Sequence, residues 1–375
     1  MAKRLGLIAN HLGIKNDPEQ SKKWGIKIPT IKESFDFFYF DKLLPKETNA
    51  RRKELRAIFE AKFSPIVSSW TEKSEFPKSL IAAISELKLI GWSEENSTSK
   101  IEKSLIIYEL ARVDVSIAIF YVASFSLVVH TIEKLGSEEQ RLKYLPALCS
   151  GNSVGCWGLT EPEISKEVTA TLTADGYILN GTKRWLGNAL LADIIIIFAK
   201  NITNNQVEGF IVDSKSSGLS IMSGHKKLPL KMLKSGNIIL KNVFVHEKEK
   251  LVKTHKFATN TKLGLEYSVR ILTSQISYLT TGFYQRSAKY IKERVPLPAY
   301  LASVQLSKEK FVGFTGMAWK LIQLLMKGQM TVTQGLLVKL IAKEASRLGK
   351  GFMEGNNAYT ILMCFWLEDL SLDFN

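Results

Sequence analysis

Two short segments between residues 156 and 188 combine tryptophans with small and polar residues. The first reads Cys-Trp-Gly-Leu-Thr-Glu-Pro over residues 156–162, and the second reads Lys-Arg-Trp-Leu-Gly-Asn over residues 183–188. Two aromatic rings and a run of backbone N–H groups on one surface are able to hold a flat, electron-poor ring system by stacking and hydrogen bonding. Burial of both tryptophans in a core is the alternative, and composition alone does not separate the two interpretations.

The composition is that of a globular protein with an unusually basic balance. The chain has 375 residues, 45% hydrophobic and 23% charged, with a formal net charge of +15. This length predicts two or three domains. The lysines and arginines are scattered, without a long basic run, so a nucleic-acid partner is not expected. Three cysteines and five histidines, without zinc spacing, predict neither a disulfide framework nor a metal site.

Two segments bear on location. The apolar run from Val115 to Val129 is shorter than the ~20 residues that span a bilayer and indicates a buried helix rather than a membrane span. Near the N-terminus, Arg4-Leu5 and His11-Leu12 are separated by five residues. This spacing matches the N-terminal peroxisomal targeting nonapeptide and predicts a peroxisomal protein, an amphipathic presequence being the alternative.

Hydrophobic periodicity divides the chain into helical and strand-rich parts. Helical spacing predominates up to about residue 150, with a capping box predicted at Ser137 and Gln140. Short strands, including a hairpin turn at Asp175-Gly176, follow without intervening helices, and helical spacing then returns. The predicted fold is multi-domain α+β, with an N-terminal helical domain, a small central β-barrel or sandwich and a C-terminal helix bundle. The predicted boundaries are 1–34 for a targeting and lead-in segment, 35–152, 153–253 and 254–375.

Several of these motifs together resemble the acyl-CoA dehydrogenase/oxidase flavoprotein family, and within it most closely the short-chain peroxisomal oxidases of plants. The resemblance covers most of the chain from about Ser34 onward. Besides the two segments above, it rests on Glu109-Leu110-Ala111-Arg112-Val113-Asp114, Asn180-Gly181-Thr182-Lys183-Arg184-Trp185, Gly209-Phe210-Ile211-Val212, Asn242-Val243-Phe244-Val245, Lys292-Glu293-Arg294 and Gly328-Gln329-Met330-Thr331.

The resemblance implies an FAD-dependent oxidase of peroxisomal fatty acid β-oxidation. Such an enzyme desaturates a short-chain acyl-CoA to the trans-2-enoyl-CoA, and molecular oxygen reoxidises the flavin to give hydrogen peroxide. It implies a homo-oligomer as well. The cofactor residues that it implies are Trp157, Gly158, Leu159, Thr160, Trp185, Leu186, Gly187, Arg294, Gln305 and Gly355. For the acyl-CoA substrate it implies Ser165 and Arg270.

The sequence also departs from the family pattern. An ungapped register puts Phe374 where the family has its catalytic glutamate, with Asp373 and Glu368 nearby, so no catalytic residue is assigned and the last bundle helix is expected to be missing. Glu354 replaces a glycine next to the FAD pyrophosphate, where a carboxylate repels phosphate and weakens binding. Ala118 occupies the position of the arginine that marks glutaryl-CoA specificity, which argues against a dicarboxylic substrate.

Two further functions stay open at this point. One is a dehydrogenase that passes its electrons to an electron-transfer flavoprotein, and the other is a truncated, catalytically inactive relative that binds acyl-CoA without turnover.

Overall fold

A computed structural model describes residues 44–87, 89, 100–162, 167–223 and 230–254 of the chain. The helices of this part are α1 (Lys46–Lys62), α2 (Ser64–Lys73), α3 (Lys78–Glu86), α4 (Lys100–Val113), α5 (Val115–Tyr121), α6 (Val129–Leu135) and α7 (Glu138–Cys149). The strands are β1 (Gly155–Gly158), β2 (Thr169–Leu172), β3 (Gly176–Leu186), β4 (Ile194–Asn201), β5 (Val207–Asp213), β6 (Leu219–Ser223) and β7 (Gly236–His246), and Glu247–Glu249 forms a 3-10 turn. The part of the predicted bundle beyond residue 254 lies outside the described residues.

The helical domain is built around an apolar central run. Helix α5 continues through a π-helical segment, Val122–Val128, into α6. This run is apolar enough to cross a membrane by length and composition, yet its most apolar 18-residue window is buried inside the protein. It begins at Asp114, whose carboxylate accepts a 2.7 Å hydrogen bond from the N–H of Ser116. The buried helix predicted from residue 115 is therefore confirmed, and it extends further than the sequence indicated.

Helix α7 begins with the capping box that the sequence predicts. The Ser137 hydroxyl accepts from the N–H of Gln140, and the Gln140 side chain accepts from the N–H of Ser137. The amide nitrogen of Gln140 also donates to the carbonyls of Lys248 and Lys250, at 2.8 and 3.0 Å. One side chain thus closes the helix terminus and joins the helical domain to the end of the β domain.

The seven described strands form one curled sheet in the order β1-β4-β2-β3-β7-β6, with β5 also paired to β4. Strands β2 and β3 form the predicted hairpin, because Thr173 and Gly176 close the turn with a 2.8 Å backbone hydrogen bond. The sheet is mixed, since β1 and β2 both run parallel to β4. Strands β1 and β2 lie beside successive parts of β4, and the chain between them leaves the sheet.

The two domains share a packed boundary. Strand β1 lies against the central helix, where the Ser124 hydroxyl accepts a 2.8 Å hydrogen bond from the N–H of Gly155. Met232 and Leu233, from the chain before β7, are buried in the hydrophobic core of the helical domain. The β domain is therefore held against the helices at β1 and at the chain that enters β7.

Candidate functional site

A buried lysine ties the end of β1 to β3. The side chain of Lys183 is 2% exposed, and its ammonium donates to the carbonyl of Leu159 at 3.0 Å and to a carboxylate oxygen of Glu161 at 2.7 Å. The same oxygen of Glu161 accepts from the N–H of Val168 at 2.8 Å. Burial lowers the pKa of Lys183 despite the opposing effect of Glu161. Lys183 and Glu161 therefore hold the chain in place where it leaves β1 and where it returns before β2.

This arrangement leaves Thr160 with its hydrogen-bond donors open. All described peptide bonds are trans, so a carbonyl and the N–H that follows it point in opposite directions. Lys183 holds the carbonyl of Leu159, and the N–H of Thr160 consequently points away from the lysine. In the part of the chain that the structure describes, neither this N–H nor the Thr160 hydroxyl has a partner. The end of β1 thus offers two donors to an acceptor on a ligand.

A β-bulge places Trp185 beside this donor edge. The register between β3 and β7 shifts between Lys183 and Leu186, and Trp185 has a φ of 55°, in the left-handed region. Its N–H donates to the side-chain oxygen of Asn237 at 2.9 Å, which holds the distorted backbone. Arg184 donates its own N–H to the carbonyl of Thr160 at 2.9 Å, and its guanidinium lies 4.1 Å from the Trp185 ring centroid. The bulge therefore changes the direction of the backbone at Trp185, one residue after the hydrogen bond that joins Arg184 to Thr160.

The turn after Trp185 rests on the central helix. A side chain added at Gly187 would lie 3.6 Å from Ala123 and 3.8 Å from Ile119, so the helix presents an apolar face here. Asn188 is fully buried and donates to the carbonyl of Phe120 at 3.0 Å. Among the residues that the structure describes, no group donates a hydrogen bond to its side-chain oxygen.

The first tryptophan has different surroundings. The Trp157 indole N–H donates to the Thr131 hydroxyl at 3.2 Å, and its ring packs edge-on against Phe198 at 5.5 Å. Gly158 has no room for a side chain, because a Cβ atom would lie 2.9 Å from the carbonyl oxygen of Ile196. Cys156 is fully buried and burial raises the pKa of its thiol, so it is a poor nucleophile.

The structure brings the described members of the predicted site together. They are Trp157, Gly158, Leu159, Thr160, Trp185, Leu186 and Gly187, and the role of each in holding a cofactor stays a prediction. Ser165, Arg270, Arg294, Gln305 and Gly355 lie outside the described residues, as do Phe374, Asp373 and Glu368. In the ranges that the structure describes, no three His, Cys, Asp or Glu side chains form a metal site.

The sequence patterns did not identify the residues that hold the backbone of the site in place. These are Lys183 with Glu161, Asn237 at the bulge, and Asn188 with Ser124 at the boundary between the domains. A signal was available only for Lys183, because a lysine in the middle of a predicted strand, seven residues after Asp175-Gly176, is unusual in a sheet buried on one face. The other residues act through contacts between distant segments, which local spacing does not show.

Together, these features define a protein whose helical domain packs on a curled sheet, with a surface suited to a flat ring that bears hydrogen-bond acceptors. Residues 45–152 match the family model for the acyl-CoA dehydrogenase N-terminal domain, and residues 156–243 match the model for the middle domain. The chain therefore belongs to the acyl-CoA dehydrogenase family.

Curated relatives carry names from the same family. The short-chain specific acyl-CoA dehydrogenase of Clostridium acetobutylicum is 25% identical over 264 residues, which are 67% of this chain and 70% of that protein. A probable short/branched chain specific acyl-CoA dehydrogenase of Dictyostelium discoideum is 29% identical over 321 residues, 81% of this chain and 73% of the relative. These names do not support the predicted closeness to plant oxidases.

Solved structures share the fold. A glutaryl-CoA dehydrogenase from Mycobacterium smegmatis in complex with FADH2 superimposes with a TM-score of 0.79 at 22% identity, covering 90% of this chain and 93% of that one. Butyryl-CoA dehydrogenase from Megasphaera elsdenii gives a TM-score of 0.73 at 21% identity, covering 87% and 93% of the two chains. The predicted combination of helical and β domains agrees with this fold.

Proposed function

We propose that the chain is an FAD-dependent acyl-CoA dehydrogenase acting on short-chain acyl-CoA thioesters. The observation that carries the proposal is the donor edge at Thr160, joined to the Trp185 bulge by the 2.9 Å hydrogen bond from Arg184. An isoalloxazine ring has acceptors along one edge and an apolar face, and these two features match it. FAD, when bound, supplies the hydride acceptor. The chain's own residues orient the ring and keep water from one face.

The names of the relatives favour a dehydrogenase over the oxidase that the sequence first suggested. The two relatives and the two solved structures described above are named dehydrogenases. We propose that an electron-transfer flavoprotein takes the electrons. A homo-oligomer is part of the proposal, because the resemblance places Arg294 on the FAD of a neighbouring subunit.

An unbranched or short-branched apolar acyl chain is the proposed substrate. Ala118 is fully buried in α5, and its neighbour Ile119 and Ala123, one turn later, face Gly187 with apolar atoms. This part of the helix presents no cation to a second carboxylate. Butanoyl-CoA is therefore expected to be a substrate and glutaryl-CoA a poor one.

Steady-state turnover with two acceptors tests the reaction. FAD-loaded protein is incubated with butanoyl-CoA, and reduction of an artificial one-electron acceptor is compared with hydrogen peroxide formation in air. We expect turnover with the artificial acceptor to exceed peroxide formation clearly. Peroxide formation at the same rate would restore the oxidase interpretation. Glu368→Gln and Asp373→Asn identify the catalytic base, because the substitution that removes the base abolishes turnover.

A non-catalytic relative that binds acyl-CoA is the second candidate. Phe374 at the position of the family glutamate favours it, because phenylalanine cannot accept the α-proton. Its signature would be stable binding of FAD and butanoyl-CoA without loss of the oxidised flavin absorbance under anaerobic conditions.

The location in the cell is proposed from residues 4–12 alone. A peroxisomal location belongs with the oxidase alternative, because the electron-transfer flavoprotein of the proposed dehydrogenase is mitochondrial. A reporter fused to residues 1–34 separates the two: import into peroxisomes favours the oxidase, and a mitochondrial signal indicates the presequence alternative and agrees with the proposed dehydrogenase.

A further inference from the structure

The ion pair between Lys183 and Glu161 is the most deeply buried lysine contact among the described residues. Lys183 lies in the middle of β3, and its ammonium donates two hydrogen bonds to the chain that leaves β1. Placing an ammonium group there has a cost, because burial removes it from water and Glu161 is the one carboxylate that it contacts directly among the described residues. A well-packed apolar side chain would serve the sheet equally well, so stability alone does not account for this lysine.

The bond to Leu159 sets the Lys183 pair apart from other ion pairs of the β domain. Lys200 and Glu167 form a pair of similar length, 2.8 Å, but their side chains are 35% and 44% exposed. Lys183 instead holds a backbone carbonyl, and this fixes the rotation of the peptide unit that carries the N–H of Thr160. Glu161 adds a second fixed point, since it accepts the N–H of Val168 where the chain re-enters the sheet.

We propose that Lys183, held by Glu161, is a positioning residue that aims the Thr160 donors at the flavin ring. The inference rests on the proposed function, because it assigns these donors to FAD. Lys183 lies behind the peptide and does not touch the ring. Its effect is on the direction of donors that favour the electron-rich reduced flavin over the oxidised form.

Without Lys183, the peptide between Leu159 and Thr160 loses the hydrogen bond that fixes its rotation. The Thr160 donors then lose their orientation toward the flavin ring. We expect the reduced flavin to be bound about tenfold less tightly relative to the oxidised form, which lowers the two-electron midpoint potential by about 30 mV. We expect kcat to fall on the order of ten- to a hundredfold, as for other small misplacements at a reacting centre. KM for butanoyl-CoA should change little, because the thioester does not bind through this peptide.

The test uses the full-length, FAD-loaded protein and the double variant Lys183→Met/Glu161→Gln. The double variant removes both charges together, so no ion is left buried without a partner and the sheet keeps its packing. The matched control is Lys250→Met/Glu247→Gln, which removes a more exposed ion pair of 2.9 Å from the end of the β domain and leaves both carboxylates that act on Lys183 in place. Thermal unfolding, FAD affinity, midpoint potential and kcat are measured for the wild type and both variants.

A lower potential and a lower kcat in the Lys183 variant, with unfolding near the wild-type temperature and an unchanged control, support the proposal. A folded variant that has lost FAD affinity at least tenfold while the control has not supports it as well. A Lys183 variant with the wild-type potential, FAD affinity and kcat overturns it, as does an equal change in the control. If the wild type itself binds no FAD, the proposed function fails first and the inference falls with it.

Discussion

Each domain contains a buried cluster of oppositely charged side chains, and the two clusters hold different parts of the structure in place. In the helical domain, the fully buried carboxylate of Glu109 accepts from Arg52 on α1 at 3.4 Å, from Arg56 at 2.8 and 2.9 Å, and from Arg112 at 3.1 Å. In the β domain, the Lys183 ammonium bonds to Glu161 and to the Leu159 carbonyl at 3.0 Å. The first cluster joins helices to each other, whereas the second holds a loop beside the donor edge.

The difference lies in what each charge holds. Burial acts to lower the pKa of Arg56, but the hydrogen bonds and charge of Glu109 raise it above its ordinary value, so the guanidinium stays charged and the cluster acts as a link between α1 and α4. Burial lowers the pKa of Lys183, which shows that its surroundings favour the ion less. A buried ion pair that lowers stability but orients a hydrogen-bond donor is expected at a functional site. Substitutions in the cluster of the helical domain should therefore change the free energy of unfolding without changing the midpoint potential of the bound flavin.

The largest effect is expected from Glu109→Gln. The substitution leaves three arginines around a neutral amide, and removing one partner of a buried ion cluster costs about 3–5 kcal/mol. Denaturant unfolding of the FAD-loaded protein measures the change in the free energy of unfolding. The control is Glu60→Gln, which removes the 53% exposed partner of Arg112 and should cost less than about 1 kcal/mol. A change in flavin midpoint potential with Glu109→Gln would break the contrast between the two clusters.

An intermediate effect is expected from Glu133 and depends on pH. Burial acts to raise the pKa of Glu133, but hydrogen bonds from His130 and Lys134 lower it to about 2. The carboxylate therefore stabilises the fold above its unfolded pKa of about 4.5, and this stabilisation is lost as the pH falls towards about 2. The free energy of unfolding of the wild type should exceed that of Glu133→Gln by about 1–2 kcal/mol at pH 7, because Lys134 is 51% exposed and solvent screens its charge. The gap should close as acid is added, and a gap independent of pH would contradict the assignment.

The smallest effect is expected from the capping box of α7. Ser137→Ala removes the hydroxyl that accepts the N–H of Gln140 at 3.1 Å and should cost about 1 kcal/mol. Ser137→Asp retains an acceptor and should recover most of that loss. Flavin affinity is expected to be the same in all three proteins, which an FAD titration checks.

Local sequence patterns predicted most of the described elements. Helical spacing over residues 51–63, 80–89 and 101–113 predicted the helices that the structure has at Lys46–Lys62, Lys78–Glu86 and Lys100–Val113. The capping box and the hairpin at Asp175-Gly176 were also predicted, because both depend on residues a few positions apart. Helix α2 was missed, since Pro65 and three serines hide a short helix that only two buried residues hold in place.

The supporting contacts of the site could not be predicted. The parallel pairing of β1 with β4 and the bulge at Trp185 depend on partners about 40 and 50 residues away, such as Ile196 and Asn237. The sequence of the π-helical segment predicts an ordinary α-helix, because apolar residues occur on all of its faces. The hydroxyl of Ser124, which accepts from Gly155, lies within it.

FAD affinity of the full chain, measured by flavin fluorescence quenching for wild type and Trp185→Ala, tests the central claim most directly. If the bulge and the Thr160 edge hold the isoalloxazine ring, wild type binds FAD and Trp185→Ala binds it about tenfold more weakly, as the loss of one stacked ring and its burial predicts. Ser137→Ala serves as the control and should match the wild type. FAD binding with equal affinity in all three proteins, or none in the wild type, would contradict this account of the site.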